Sequence, residues 1–101
     1  MTYTRVAKVS DVEPGKAIVV EAGGREIALC NVGGELYAVD EYCSHAEGSL
    51  SEGDIEGYEV ESPVHGSRFD VRTGGVTGEP AVLPVDAFPV RVVGDDIEVD
   101  V

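Results

Sequence analysis

Two glycine pairs, Gly23 with Gly24 and Gly33 with Gly34, stand between runs of β-forming residues. Paired glycines admit positive φ at both central positions of a two-residue turn, the geometry that suits the twist of a hairpin. Residues 17–22, 26–32 and 36–39 flank these pairs and are rich in Val, Ile, Leu and Tyr. They read as three consecutive antiparallel strands.

The same grammar runs through the rest of the chain. Residues 5–9 read as a strand before a turn at Pro14 and Gly15. Residues 55–61 suit one or two short strands, and residues 67–71 another, ended by Thr73, Gly74 and Gly75. Residues 78–85 contain two prolines and suit an extended loop. Residues 89–93 and 97–101 form a closing hairpin, whose last strand alternates apolar and acidic side chains. No helix is expected. With 101 residues and 13 glycines, the expectation is one all-β domain, residues 1–101, of small antiparallel sheets or a barrel.

Charge excludes some partners. Seven Lys and Arg against 20 Asp and Glu give a net charge of −13. Such a surface repels nucleic-acid phosphates and anionic membranes, and favours encounter with basic proteins. No apolar run is long enough to span a membrane, and the first six residues lack a secretory pattern. A cytoplasmic protein is expected. In a reducing compartment Cys30 and Cys43 are not expected to pair, and Cys30, inside an apolar strand, reads as a core thiol.

The chemistry lies in the irregular middle of the chain. Both histidines sit there in short motifs, Cys43-Ser44-His45 and Ser62-Pro63-Val64-His65-Gly66-Ser67, with residues 46–61 between His45 and Ser62. Cys-x-His sets a thiolate and an imidazole on one turn, and two intervening residues between Ser62 and His65 do the same on another. Gly66 lets backbone approach a metal, and Pro63 stiffens its loop. Two such loops on a β scaffold form a clip around a metal or cluster. Residues 46–61 carry six acids and no Lys or Arg: Glu47, Glu52, Asp54, Glu56, Glu59 and Glu61. They read either as a solvated face or as a docking rim.

These motifs resemble those of Rieske proteins, which use Cys-x-His, about sixteen residues, then Cys-x-x-His to hold a [2Fe–2S] cluster. Residues 63–70 look like that family's second loop, and Gly78, Glu79, Pro80 and Pro84 like its proline loop. The resemblance spans roughly residues 5–99 and implies that Cys43, His45, Ser62 and His65 are the metal ligands. Cys43 and Ser62 would hold the inner iron, and His45 and His65 the outer one. Ser67 would either donate a hydrogen bond to the cluster or serve as a simple loop cap. Phe69 replaces the tyrosine of high-potential members, and Ala46, Glu47 and Val64 leave no extra disulfide. Both departures point to low-potential ferredoxins, one-electron carriers between a flavin-dependent reductase and a terminal oxygenase, with no catalysis of their own.

Ser62 is the departure from the pattern. A hydroxyl is a harder and far less acidic donor than a thiol. Three readings stay open: an oxygen ligand in an intact cluster of lowered potential, an introduced substitution, or a Rieske-like interaction module without its cluster. A mononuclear zinc site built from Cys43, His45 and His65 is a further alternative.

Overall fold

In a computed structural model the chain is described over residues 2–42, 49–63, 66–78 and 83–101. Eleven strands occur among them: β1 Tyr3–Lys8, β2 Ala17–Ala22, β3 Arg25–Val32, β4 Glu35–Asp40, β5 Ile55–Glu56, β6 Glu59–Glu61, β7 Arg68–Asp70, β8 Val76–Gly78, β9 Ala87–Phe88, β10 Val90–Val93 and β11 Asp96–Asp100. They form three antiparallel sheets, ordered β1-β11-β10, β2-β3-β4-β9 and β5-β6-β7-β8.

The middle sheet follows from the paired glycines. Gly23 and Gly24 have φ of 59° and 76°, and Gly33 and Gly34 have 60° and 99°. Each pair closes a two-residue hairpin in register, Ala22 opposite Arg25 and Val32 opposite Glu35.

β3 serves two cores. Alternate side chains of a strand point to opposite faces. Ile27 and Leu29 join Ala7, Val20, Ala38, Ile97 and Val99 on one face, whereas Ala28 and Cys30 join Val39, Leu50, Val60, Phe69 and Val71 on the other. A strand buried on both faces reads as a continuous apolar run rather than an alternation, as residues 27–30 do. The second core fastens the β5–β8 sheet to the middle one.

Three details differ from the sequence reading. Two single 3-10 turns, Val9–Asp11 and Leu50–Glu52, occur where no helix was expected. Gly78 ends a strand paired with Arg68 instead of opening a loop. β9 is a two-residue strand against β4, formed between Pro84 and Pro89. Its pairing is tertiary and has no local signal.

Candidate cluster site

Of the four proposed ligands, Ser62 is described; Cys43, His45 and His65 lie outside the described residues, as do Glu47, Val64, Glu79 and Pro80. What the structure defines is the frame on which the two motifs are mounted.

The first motif is carried between the end of β4 and the 3-10 turn. Tyr42 and Ser49 form an isolated bridge, and the Leu50 amide donates to the Glu41 carbonyl at 2.6 Å. Leu50 is fully buried in the second core. The segment is thus pinned at both ends.

The second motif is the β6–β7 connection. The Ser62 amide donates to the Ser67 carbonyl at 2.7 Å, and the Gly66 amide donates to the Ser62 carbonyl at 3.0 Å. Gly66 has φ of 72°, the left-handed region that glycine enters without strain. A β-carbon on Gly66 would be 3.6 Å from Glu61 Oε1, an ordinary contact. Among the described residues, then, backbone conformation and not tight approach accounts for this glycine. Ser62 is 1% exposed and Ser67 fully buried. A serine that merely shapes a surface turn has no reason to be so deep.

The two mounts touch. A β-carbon on Gly53 would lie 1.8 Å from the carbonyl oxygen of Glu61. Only glycine lets the chain leaving the 3-10 turn pass so close to the residue preceding Ser62. Just beyond the contact, the Glu61 amide donates to the Asp54 carbonyl at 2.9 Å.

The acidic stretch is partly neutralised from outside itself. Asp54, Glu56, Glu59 and Glu61 line a cleft that Arg68 enters, at 3.3 Å from Glu59 and 3.7 Å from Glu61. The stem of Arg68 also packs on Gly78, where a β-carbon would be 3.0 Å from its Cβ. Arg68 therefore ties the second hairpin to the strand that leads toward residues 79–82.

Cys30 stands in the middle of β3 and not on either motif loop. It is fully buried in the second core, and burial pushes its thiol up to about 12, with the Glu41 charge adding to the effect. Enclosed by apolar neighbours, it has the surroundings of a packing thiol, as its place in an apolar strand leads one to expect. Phe69 is likewise a fully buried core residue, opposite Val60 and Val76.

Comparison with known proteins agrees with this frame. The Rieske [2Fe-2S] domain profile matches residues 2–89, and the chain belongs to that family. It is 42% identical over 100 residues to the ferredoxin component of biphenyl 2,3-dioxygenase from Rhodococcus jostii (strain RHA1), covering 99% of this chain and 94% of the relative. The ferredoxin of carbazole 1,9a-dioxygenase from Nocardioides aromaticivorans IC177 superposes with a TM-score of 0.93 at 40% identity, over 98% of this chain and 97% of the other. A structure titled as a complex of reduced oxygenase and oxidised ferredoxin in carbazole 1,9a-dioxygenase contains a chain matching at TM-score 0.89 and 35% identity, over 96% and 91% of the two chains. Membership implies a Rieske-type [2Fe–2S] cluster. In the two motifs a cysteine and two histidines match the donor types of that cluster, whereas the buried Ser62 offers a harder oxygen where the family has a thiolate. No helix among the described residues is long and apolar enough to cross a membrane.

Proposed function

We propose that this chain is a one-electron carrier whose [2Fe–2S] cluster, one per chain, is held by Cys43, His45, Ser62 and His65. It would receive its electron from a flavin-dependent reductase and deliver it to a terminal oxygenase. Ferredoxin components are electron carriers rather than catalysts, and the relatives at 40–42% identity are ferredoxins of dioxygenase systems.

The observation that carries the ligand assignment is the abutment of Gly53 on Glu61, which brings the two motif mounts together directly beside Ser62. When bound, such a cluster supplies iron that takes up and releases one electron. The protein's own residues set the conditions. The Ser62 hairpin holds its donor in the interior. Ser67, buried beside it, is a candidate hydrogen-bond donor to the cluster, and Phe69 offers no hydroxyl. With an oxygen donor and one hydroxyl fewer, a low potential is expected.

The excess of acid, 20 Asp and Glu against 7 Lys and Arg, favours partners with basic docking surfaces. A single domain over residues 1–101 and a cytoplasmic setting complete the reading. Iron and acid-labile sulfide assays on purified protein test it: about two of each per chain are expected. Colourless, iron-free protein would overturn it in favour of a Rieske fold without a cluster, the reading that Ser62 itself invites. Zinc without sulfide would overturn it in favour of a mononuclear site.

A further inference from the structure

Glu41 is an acid in an unusual position. It is 4% exposed, two residues before Cys43, in a chain whose other described Asp and Glu residues all lie outside the buried set. Both its carboxylate oxygens are engaged by one residue: the Ser51 amide donates to Oε1 at 2.8 Å, and the Ser51 hydroxyl donates to Oε2 at 2.7 Å. Its backbone is engaged as well. The Glu41 amide donates to the Glu26 carbonyl at 3.2 Å, and its carbonyl accepts from Leu50. Next to it, the Tyr42 hydroxyl donates to Glu26 Oε2 at 2.6 Å. One side chain thus joins the chain entering segment 43–48 to the chain leaving it.

A buried carboxylate is costly unless fully hydrogen-bonded. A surface turn can be closed by backbone bonds alone, so burying a charge here needs a reason. Charge-assisted hydrogen bonds are about twice as strong as neutral ones, and a pair converging on one residue fixes orientation as well as distance. A fixed anion in a low-dielectric region also opposes the arrival of another negative charge.

We infer that Glu41 is a positioning residue: through Ser51 its carboxylate latches the two ends of segment 43–48, and its buried charge disfavours reduction at the site that segment serves. The latch stands on the contacts above; the effect on reduction rests on the proposed ligand role of Cys43 and His45. Glutamine separates the two parts. Its Oε1 still accepts from the Ser51 amide and its Nε2 can donate to the Ser51 hydroxyl oxygen, so the latch survives without the charge.

The test compares wild type, Glu41→Ala, Glu41→Gln and Ser51→Ala as purified protein. Amide hydrogen exchange at Leu50 and Ser51, iron release to a chelator and midpoint potential are read for each. Glu41→Ala and Ser51→Ala should exchange and release iron roughly tenfold faster, the scale set by losing charge-assisted hydrogen bonds. Glu41→Gln, with neutral hydrogen bonds in place of charge-assisted ones, should exchange and release iron more slowly than Glu41→Ala and show a raised potential. Wild-type exchange in Glu41→Ala would overturn the latch, and if that variant does not fold, wild-type exchange in Ser51→Ala overturns it equally. An unshifted potential in Glu41→Gln would overturn the electrostatic part. Iron-free wild type would defeat the electron-carrier reading, while hydrogen exchange would still decide the latch.

Discussion

Gly53 passes so near Glu61 that a β-carbon on it would fall 1.8 Å from the Glu61 carbonyl oxygen. Its backbone φ is −82°, which any residue adopts, so the requirement is purely one of space. The contact joins the chain leaving the first motif to the residue that enters the second.

Gly53→Ala should therefore be among the most damaging small substitutions in the molecule. Neither the carbonyl nor the 3-10 turn beside it can yield without separating the mounts. A loss of about 3 kcal/mol or more is expected, read as a fall in melting temperature of roughly 10 °C or more for a domain of this size. Iron content should fall with it. Gly34→Ala supplies a contrast, because nothing lies within 4 Å of a β-carbon there and its cost is confined to a φ of 99°.

Alkaline pH tests the second core. The Cys30 thiol ordinarily titrates at 9.0 and is pushed up to about 12 by burial, so the folded state holds its proton where the unfolded chain has lost it. Its contribution is fully present below pH 9.0 and is lost as pH rises toward 12, with a limiting slope of about 1.4 kcal/mol per pH unit. Tyr37, raised to about 12 chiefly by its hydrogen bond to Glu35, acts in the same direction. Denaturant melts between pH 8 and 11 should show stability falling faster in wild type than in Cys30→Ala. Equal slopes would mean that Cys30 is not the buried thiol described.

Surface electrostatics can be tested at Arg25. Its Nη2 lies 2.6 Å from Asp40 and 3.0 Å from Asp86, and its guanidinium stands 4.8 Å from the Phe88 ring centroid. The Asp86 amide also donates to Asp40 at 2.9 Å, so the cluster holds β9 against β4. Arg25 is substantially exposed, which limits the gain from its ion pairs. Arg25→Ala should cost about 1 kcal/mol by chemical denaturation in low salt, and less in 1 M salt. A salt-independent cost would mean that packing on Phe88, not charge, does the holding.

The sequence and structure agree most closely where signals are local. β2 has the bounds expected of it, and the glycine pairs close the hairpins on either side of β3. The two-loop motif was legible because ligand spacing is a property of the chain itself. What escaped was set by distant partners. β9 exists only because β4 offers it an edge. Gly53 reads as one more turn glycine until Glu61 is seen beside it. Glu41 stands among many acids, and nothing local marks the one whose charge goes inward to Ser51. Arg68, outside the acid-rich window, could not be read as its counterion because the pairing follows from the register of β6 against β7.

Ser62 remains the residue on which the account turns, buried at 1% and bracketed by its hydrogen bonds to Ser67 and Gly66. Ser62→Ala should fold at a cost of about 1 kcal/mol, the scale of losing one buried hydroxyl with its hydrogen bond, yet retain markedly less iron than wild type. Iron content unchanged in Ser62→Ala would mean the oxygen is no ligand.

The decisive measurement is EPR after dithionite reduction of purified wild-type protein and of Ser62→Cys, with iron and sulfide determined on the same samples. A Rieske-type signal is predicted in both, at about two irons and two sulfides per chain, with the lower midpoint potential in wild type. Iron-free, EPR-silent wild type beside a fully loaded Ser62→Cys would contradict it.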